Sequence, residues 1–309
     1  RMLPVPAAGF LSAALLNQHL WSMKTALVSG TPRAFLYPIF LAFCYYLLRG
    51  SLVPCLLTIA LQGFFYPQLV LVMVGILLLR LVNWTGWPLR LSRNRRDRGV
   101  CLAGLGVALV VLLPYALSVS PFDPVITAAQ ARALPELLPG GHSVFFHDDP
   151  AQFWLLRARS GMQAHVALMP LLMGAGLCLP FVLRSSVQFP LTRQIAGVAL
   201  LPQIAVASIG MFFAAHALLF KMHLPNRYTV YTLPLAMALA AGIALTVVLD
   251  AVLRWAEQRA RPRSQARQLL AAGFMALLGL ALAGHPLFFP SPHQPVPNTK
   301  YVVGEAPAL

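Results

Sequence analysis

Charge is what this sequence has least of. Only 10% of its 309 residues are charged, and just 8 of them are acidic. A soluble domain carries roughly 25% charged residues. With 59% of the chain apolar and a mean hydropathy of +0.73, the polar surface is too small to cover the apolar mass. That excludes a soluble globular enzyme. Cysteine is also scarce. Cys44, Cys55, Cys101 and Cys178 each lie inside an apolar run, with no metal-ligand spacing among them. They read as small buried hydrophobes, not as disulfide or metal partners. The chain opens Arg1-Met2-Leu3-Pro4, without a charged n-region or a small-residue cleavage site. No signal peptide is expected from that pattern. An opening on Arg reads as the remnant of a longer protein, with an N-terminal part missing.

What the sequence does have is basic residues, 23 Lys+Arg for a net charge of +15. A nucleic-acid binder needs a solvated basic face. Here the arginines sit in short clusters between long apolar runs, which is the pattern of a polytopic membrane protein. The expected fold is all-α, a multi-pass bundle of about nine spans forming a single transmembrane domain. The spans are 4–20, 33–49, 51–66, 67–84, 100–119, 164–183, 196–220, 229–253 and 268–289. The first of these is short enough to be an interfacial helix. The long run 51–84 is divided at Gln62-Gly63-Phe64-Phe65-Tyr66-Pro67, because the residue before a proline leaves helical geometry. Pro38, Pro54, Pro114, Pro170, Pro180, Pro202 and Pro234 fall within spans and should bend them. There is no internal repeat of the kind from which many transporters are built.

Basic clusters set the orientation. Nine alternating spans collect Arg49, the cluster from Arg90 to Arg98, Arg184, Arg193 and the cluster from Arg254 to Arg267 on one side, 13 basic residues in all. The opposite side holds 8. The richer side is then cytoplasmic, and the loop 120–163 and tail 290–309 are extracytoplasmic. The expected location is a bacterial cytoplasmic membrane. Arg80 reads as a snorkelling residue, and Asp250 with Arg254 as an i,i+4 ion pair.

Within the loop, Thr127 should cap a short helix running to about Ala133. Ser143 to His147 reads as extended. Asp149-Pro150 resembles an N-cap and first helical position, with a helix to Ser160 stopped by Gly161. Its Phe153, Trp154, Arg157 and Arg159 suit the headgroup level. His147, Asp148 and Asp149 admit a metal or acid/base reading beside the simpler one of a solvated turn with Asp149 as cap.

The most informative stretch is Lys221-Met222-His223-Leu224-Pro225-Asn226-Arg227-Tyr228, between two spans on the outer side. Three groups that can carry positive charge, Lys221, His223 and Arg227, fall within eight residues on the side that should be poor in them. Arg offers a planar fork for phosphate and Lys a point charge, next to a helix start near Thr229. Two readings fit: a site for a lipid-linked phosphate, or interfacial anchoring by snorkelling cations and a belt tyrosine.

The stretch from Lys221 to Leu235, with Leu-Pro-Asn-Arg-Tyr and then Pro234, resembles the region before a late span in membrane glycosyltransferases of the GT-C superfamily. Gly30-Thr31-Pro32-Arg33-Ala34-Phe35, the Leu-Leu-Arg-Gly turn at Leu47 to Gly50, and Leu61 to Pro67 are similar to an earlier part of such proteins. Tyr66-Pro67 stands where they carry His-Pro. The resemblance covers roughly 30–85 and 220–250. It implies extracytoplasmic sugar transfer from a polyprenyl-phosphate-linked sugar, with Lys221, Arg227 and Tyr228 near the donor phosphate. The family's catalytic acid lies in a first outer loop ahead of the matched region, so catalytic residues stay unassigned. No cofactor is identifiable, though the intact protein could use a divalent metal. The expected partners are membrane lipid and the lipid-linked sugar, not nucleic acid. The alternatives are a transporter or flippase for an anionic lipid or solute, using Gln203 and His216, or a non-catalytic membrane scaffold.

Overall fold

Long apolar runs with few breakers fold as helices, and a bilayer-length helix needs about 20 residues. In the computed structural model, residues 2–21, 31–83, 90–91, 94–117, 126–222, 224–257 and 264–288 are described. The α-helices are α1 (Pro6–Trp21), α2 (Leu36–Arg49), α3 (Leu52–Phe65), α4 (Gln68–Arg80), α5 (Arg95–Leu117), α6 (Ala128–Arg132), α7 (Leu179–Arg184), α8 (Leu200–Ala217), α9 (Thr232–Glu257) and α10 (Ser264–Phe288). A two-residue antiparallel ladder pairs Val82 with Leu91 and Asn83 with Arg90. Four helical stretches are long and apolar enough to cross a membrane: Arg95–Leu117, Leu200–Ala217, Pro225–Glu257 and Gln265–Gly284. Helices α2, α3 and α4 are shorter, at 13 or 14 residues each.

The division of 51–84 falls where expected: α3 ends at Phe65, and Tyr66 and Pro67 form the turn into α4. The region 164–183 is not one continuous α-helix. Two 3-10 segments, Ala164–Leu168 and Leu171–Cys178, lead into α7, with a cis Met169–Pro170 bond between them. Pro170, Gly174 and Gly176 are poor α-helix formers, which accounts for the break. Proline also acts differently from expectation in the regular helices. Pro38, Pro54, Pro180, Pro202 and Pro234 lie in the first turns of α2, α3, α7, α8 and α9. First-turn N–H groups have no partner within the helix, so proline costs nothing there and fixes the helix start. Pro114 lies inside α5, within its last turn.

At the centre stands α9. Its buried face is dominated by small residues, among them Ala238, Ala240, Ala241, Gly242 and Ala244. Small side chains let helix backbones approach closely, the main source of packing where lipid replaces water. Helix α1 lies along this face, and a Cβ at Gly242 would sit 2.9 Å from the Ala8 carbonyl oxygen. On another side the 3-10 segment Leu171–Cys178 packs against α9, where a Cβ at Gly176 would lie 3.0 Å from the Met237 carbonyl oxygen. The hydroxyls of Ser208 on α8 and Thr232 on α9 are hydrogen-bonded at 2.6 Å in the interior. Helix α1 is therefore part of the packed bundle.

The outside is apolar as well. On α5, Leu102, Leu109, Val110 and Leu117 are exposed, and on α10 Leu269, Leu270, Leu277 and Leu280. Apolar surface that continuous suits a lipid surround, not water. Cys44, Cys55 and Cys101 are buried, as their apolar runs predict, but Cys178 is exposed. It shares an outward face with Leu177 and Phe181, so an apolar run there marks the outer surface and not the core.

Several local expectations are met. Asp250 accepts from Arg254 Nε at 2.8 Å. Thr127 and Gln130 form a reciprocal capping box at the start of α6. Arg80 is more than a snorkelling residue: its guanidinium pairs with Asp97 at 3.3 Å. The helix expected from Pro150 to Ser160 is shorter. It becomes a π turn over Gln152–Leu156 and ends at Arg157.

Candidate functional site

The motif from Lys221 to Tyr228 lies between α8 and α9 and is held by a strap from the preceding loop. Pro225–Tyr228 forms a 3-10 turn, in which Pro225 occupies a position that needs no N–H donor. The Asn226 amide N–H donates to the Arg159 carbonyl at 3.3 Å, and its side-chain amide to Gln163 Oε1 at 3.3 Å. Thr229 Oγ1 donates to the Met162 carbonyl at 2.8 Å. Residues 159–163 are thus stitched to the start of α9. These bonds satisfy the Thr229 hydroxyl and the amide donors of Asn226, whose Oδ1 is buried without a partner among the described residues.

Arg227 leaves this turn toward Tyr231 and Tyr66. Its Nη1 donates to the Tyr231 hydroxyl at 2.9 Å. The Tyr231 ring meets Tyr66 edge-on at 5.7 Å between centroids, and Tyr37 at 6.3 Å. Tyr37, Tyr66 and Tyr231 are 4%, 7% and 5% exposed, so the hydroxyl that receives Arg227 belongs to a buried ring cluster. Among the described residues the Tyr37 hydroxyl and the Nε of Arg227 are buried without a hydrogen-bond partner, and the Tyr66 hydroxyl meets that of Tyr231. Arg33 also lies within electrostatic reach of Tyr66. Buried polar atoms in a native fold are nearly always paired, so two such atoms at one ring cluster are a marked feature. A cavity of about 500 Å³ lies between α1, α2 and α9. Tyr37 lines it, and the rest of the wall is mostly apolar, including Leu16, Pro38, Leu41, Leu235 and Leu239.

The expected site residues divide in the structure. Lys221 is exposed and lines a different cavity, beside His216 and Trp154. Tyr228 is 1% exposed and belongs to the hydrophobic core, so the tyrosine that meets Arg227 is Tyr231, one turn further on. His223 lies outside the described residues. Asp149 caps a turn, its Oδ1 accepting from the Ala151 N–H at 2.9 Å. Among the described residues no group of three or more His, Cys, Asp or Glu side chains could hold a metal, so His147 and Asp148 do not build a ligand set with it. Tyr37, Tyr66 and Tyr231 were not singled out by their chemistry in the sequence. The one available signal was Tyr66-Pro67 standing in the His-Pro place. Compared with protein-family models, curated proteins and solved structures, the chain matches none of them.

Proposed function

We propose that this chain is a GT-C-like integral membrane protein that binds a lipid-linked phosphate sugar donor for extracytoplasmic glycosyl transfer. The observation that carries this reading is a buried tyrosine cluster that holds Arg227 and, through Tyr37, borders an apolar cavity. Arg227 is held by Tyr231 beside Tyr66, and Tyr37, which packs edge-on against Tyr231, lines the cavity between α1, α2 and α9. A guanidinium supplies charge-assisted donors to a phosphate, and phenol hydroxyls supply further donors. The apolar wall suits the first isoprene units of a polyprenyl chain. When transfer releases a polyprenyl phosphate, Arg227 stabilises the negative charge left on it. In this reading Lys221 plays no part in holding the phosphate.

The topology belongs to the same proposal: about nine spans in a bacterial cytoplasmic membrane, with the loop 120–163 outside. Short helices such as α2 to α4 then cross in a locally thinned bilayer or with their flanking turns. The rival transporter reading draws on Gln203 and His216 as midplane polar groups. His216 is instead tied to the Ser160 carbonyl at 2.8 Å, within the strap that holds Arg227.

The test is retention of polyprenyl phosphate by the full chain in nanodiscs, with Arg227→Gln and Lys221→Gln compared. Loss of a charge-assisted contact of this kind weakens binding by roughly 10-fold or more. Arg227→Gln should show that loss and Lys221→Gln should not. Equal affinity in wild type and Arg227→Gln removes the phosphate role.

A further inference from the structure

A second cavity, of about 410 Å³, lies at the other end of the same strap and is built from different chemistry. Its wall includes Phe153, Trp154 and His216, with Thr127, Arg132 and Lys221 at the polar side. The His216 ring is packed among aromatics, with centroids 4.6 Å from Trp154, 4.7 Å from Phe212 and 5.3 Å from Phe153. Its Nε2 lies 2.8 Å from the Ser160 carbonyl oxygen. A carbonyl only accepts, so Nε2 carries the hydrogen, and in the neutral ring Nδ1 is left as an acceptor.

Charge in this cavity is one-sided. Arg132 stands over the Phe146 ring at 5.5 Å, which orients its guanidinium beside the cavity. Lys221 is exposed at the rim. Among the described residues no carboxylate lines the cavity. Two cations therefore act on whatever enters, with flat aromatic faces beside them and one nitrogen that accepts a hydrogen bond. A bare inorganic anion uses the cations but neither the rings nor the acceptor. A neutral apolar molecule uses the rings and leaves the cations unmet. The full set fits a ring-shaped anion with hydroxyl groups, whose C–H face lies on Trp154 while its charge meets Arg132 and Lys221. The volume suits a ligand of monosaccharide size.

We infer that this cavity is a binding site for an anionic monosaccharide, a sugar acid or a sugar phosphate, separate from the Arg227 cluster. Lys221 and Arg132 bind the anionic group, Trp154 and Phe153 take the ring face, and His216 Nδ1 accepts from a hydroxyl. The assignment does not depend on the polyprenyl-phosphate reading, because its ligand needs no lipid chain.

The experiment is calorimetric titration of the full chain, in nanodiscs of neutral lipid, with glucuronate, glucose 6-phosphate and glucose. Saturable binding of glucuronate or of glucose 6-phosphate is expected with a Kd near about 1 mM, and glucose at least about 10-fold weaker. The anion that binds more tightly identifies the sugar as acid or phosphate. Lys221→Gln and Arg132→Gln should each weaken the anion by about 10-fold without altering the weak glucose signal. Trp154→Ala should weaken anion and glucose alike. Unchanged thermal melting of these variants in nanodiscs establishes that they fold. The inference is overturned if glucose binds as tightly as the anions, if neither anion shows saturable binding, or if both charge-removing variants leave anion affinity unchanged.

Discussion

Arg227 Nη1 donates to the hydroxyl of Tyr231 at 2.9 Å, one helical turn further along the chain. That bond decides where the cation of the outer motif points. It turns the guanidinium toward Tyr231 and Tyr66, while Lys221 stays at the surface in another cavity.

Removing the hydroxyl while keeping the ring isolates the bond. Tyr231→Phe should leave the fold intact, since the ring still packs edge-on against Tyr66. A hydrogen bond to a charged group is worth about 1.5–3 kcal/mol, part of which appears as weaker polyprenyl phosphate binding. Melting in nanodiscs and phosphate retention are the two measurements. An unchanged retention curve would separate the orientation of Arg227 from ligand binding.

Close helix approach predicts which glycine is intolerant. At Gly242 an added Cβ would press on Ser12 and on the Ala8 carbonyl of α1. Gly242→Val should destabilise the bundle by about 1–3 kcal/mol, the usual cost of overpacking. Gly273→Val on α10, where a Cβ meets nothing within 4 Å, is the control. Thermal melting of the two variants should differ, with only Gly242→Val lowered.

Thiol accessibility tests the lipid-facing surface. Cys178 is exposed beside Leu177 and Phe181, whereas Cys44, Cys55 and Cys101 are buried. In bilayers Cys178 should react with an apolar maleimide and resist a charged methanethiosulfonate. The other three should react only after denaturation. Rapid reaction of Cys178 with the charged reagent would place that face in water.

Sidedness is checked by single cysteines in a cysteine-free background of the full chain. Gln130→Cys on α6 should label from outside intact cells, and Ser186→Cys, after α7, only after permeabilisation. Both positions labelling from the same side would break the alternation of spans that sets the proposed topology.

Composition alone decided the class. So little charge on so much apolar mass leaves a membrane as the solvent, and the exposed leucines of α5 and α10 agree. Local chemistry was equally legible. The Thr127–Gln130 capping box, the Asp149 cap, the Asp250–Arg254 pair and the turn at Tyr66-Pro67 involve neighbours along the chain, so spacing specifies them. The rest needed the tertiary fold. Pairing of Arg80 with Asp97 brings together the end of α4 and the start of α5 across the ladder between them. Tyr37, Tyr66 and Tyr231 come from α2, the α3–α4 turn and the start of α9. They meet around the Tyr231 ring only in the folded bundle. Adjacency in sequence had joined Lys221 to Arg227. Side-chain direction, set by a 3-10 turn strapped to residues 159–163, parted them, and no periodicity in the chain encodes a direction that a distant segment imposes.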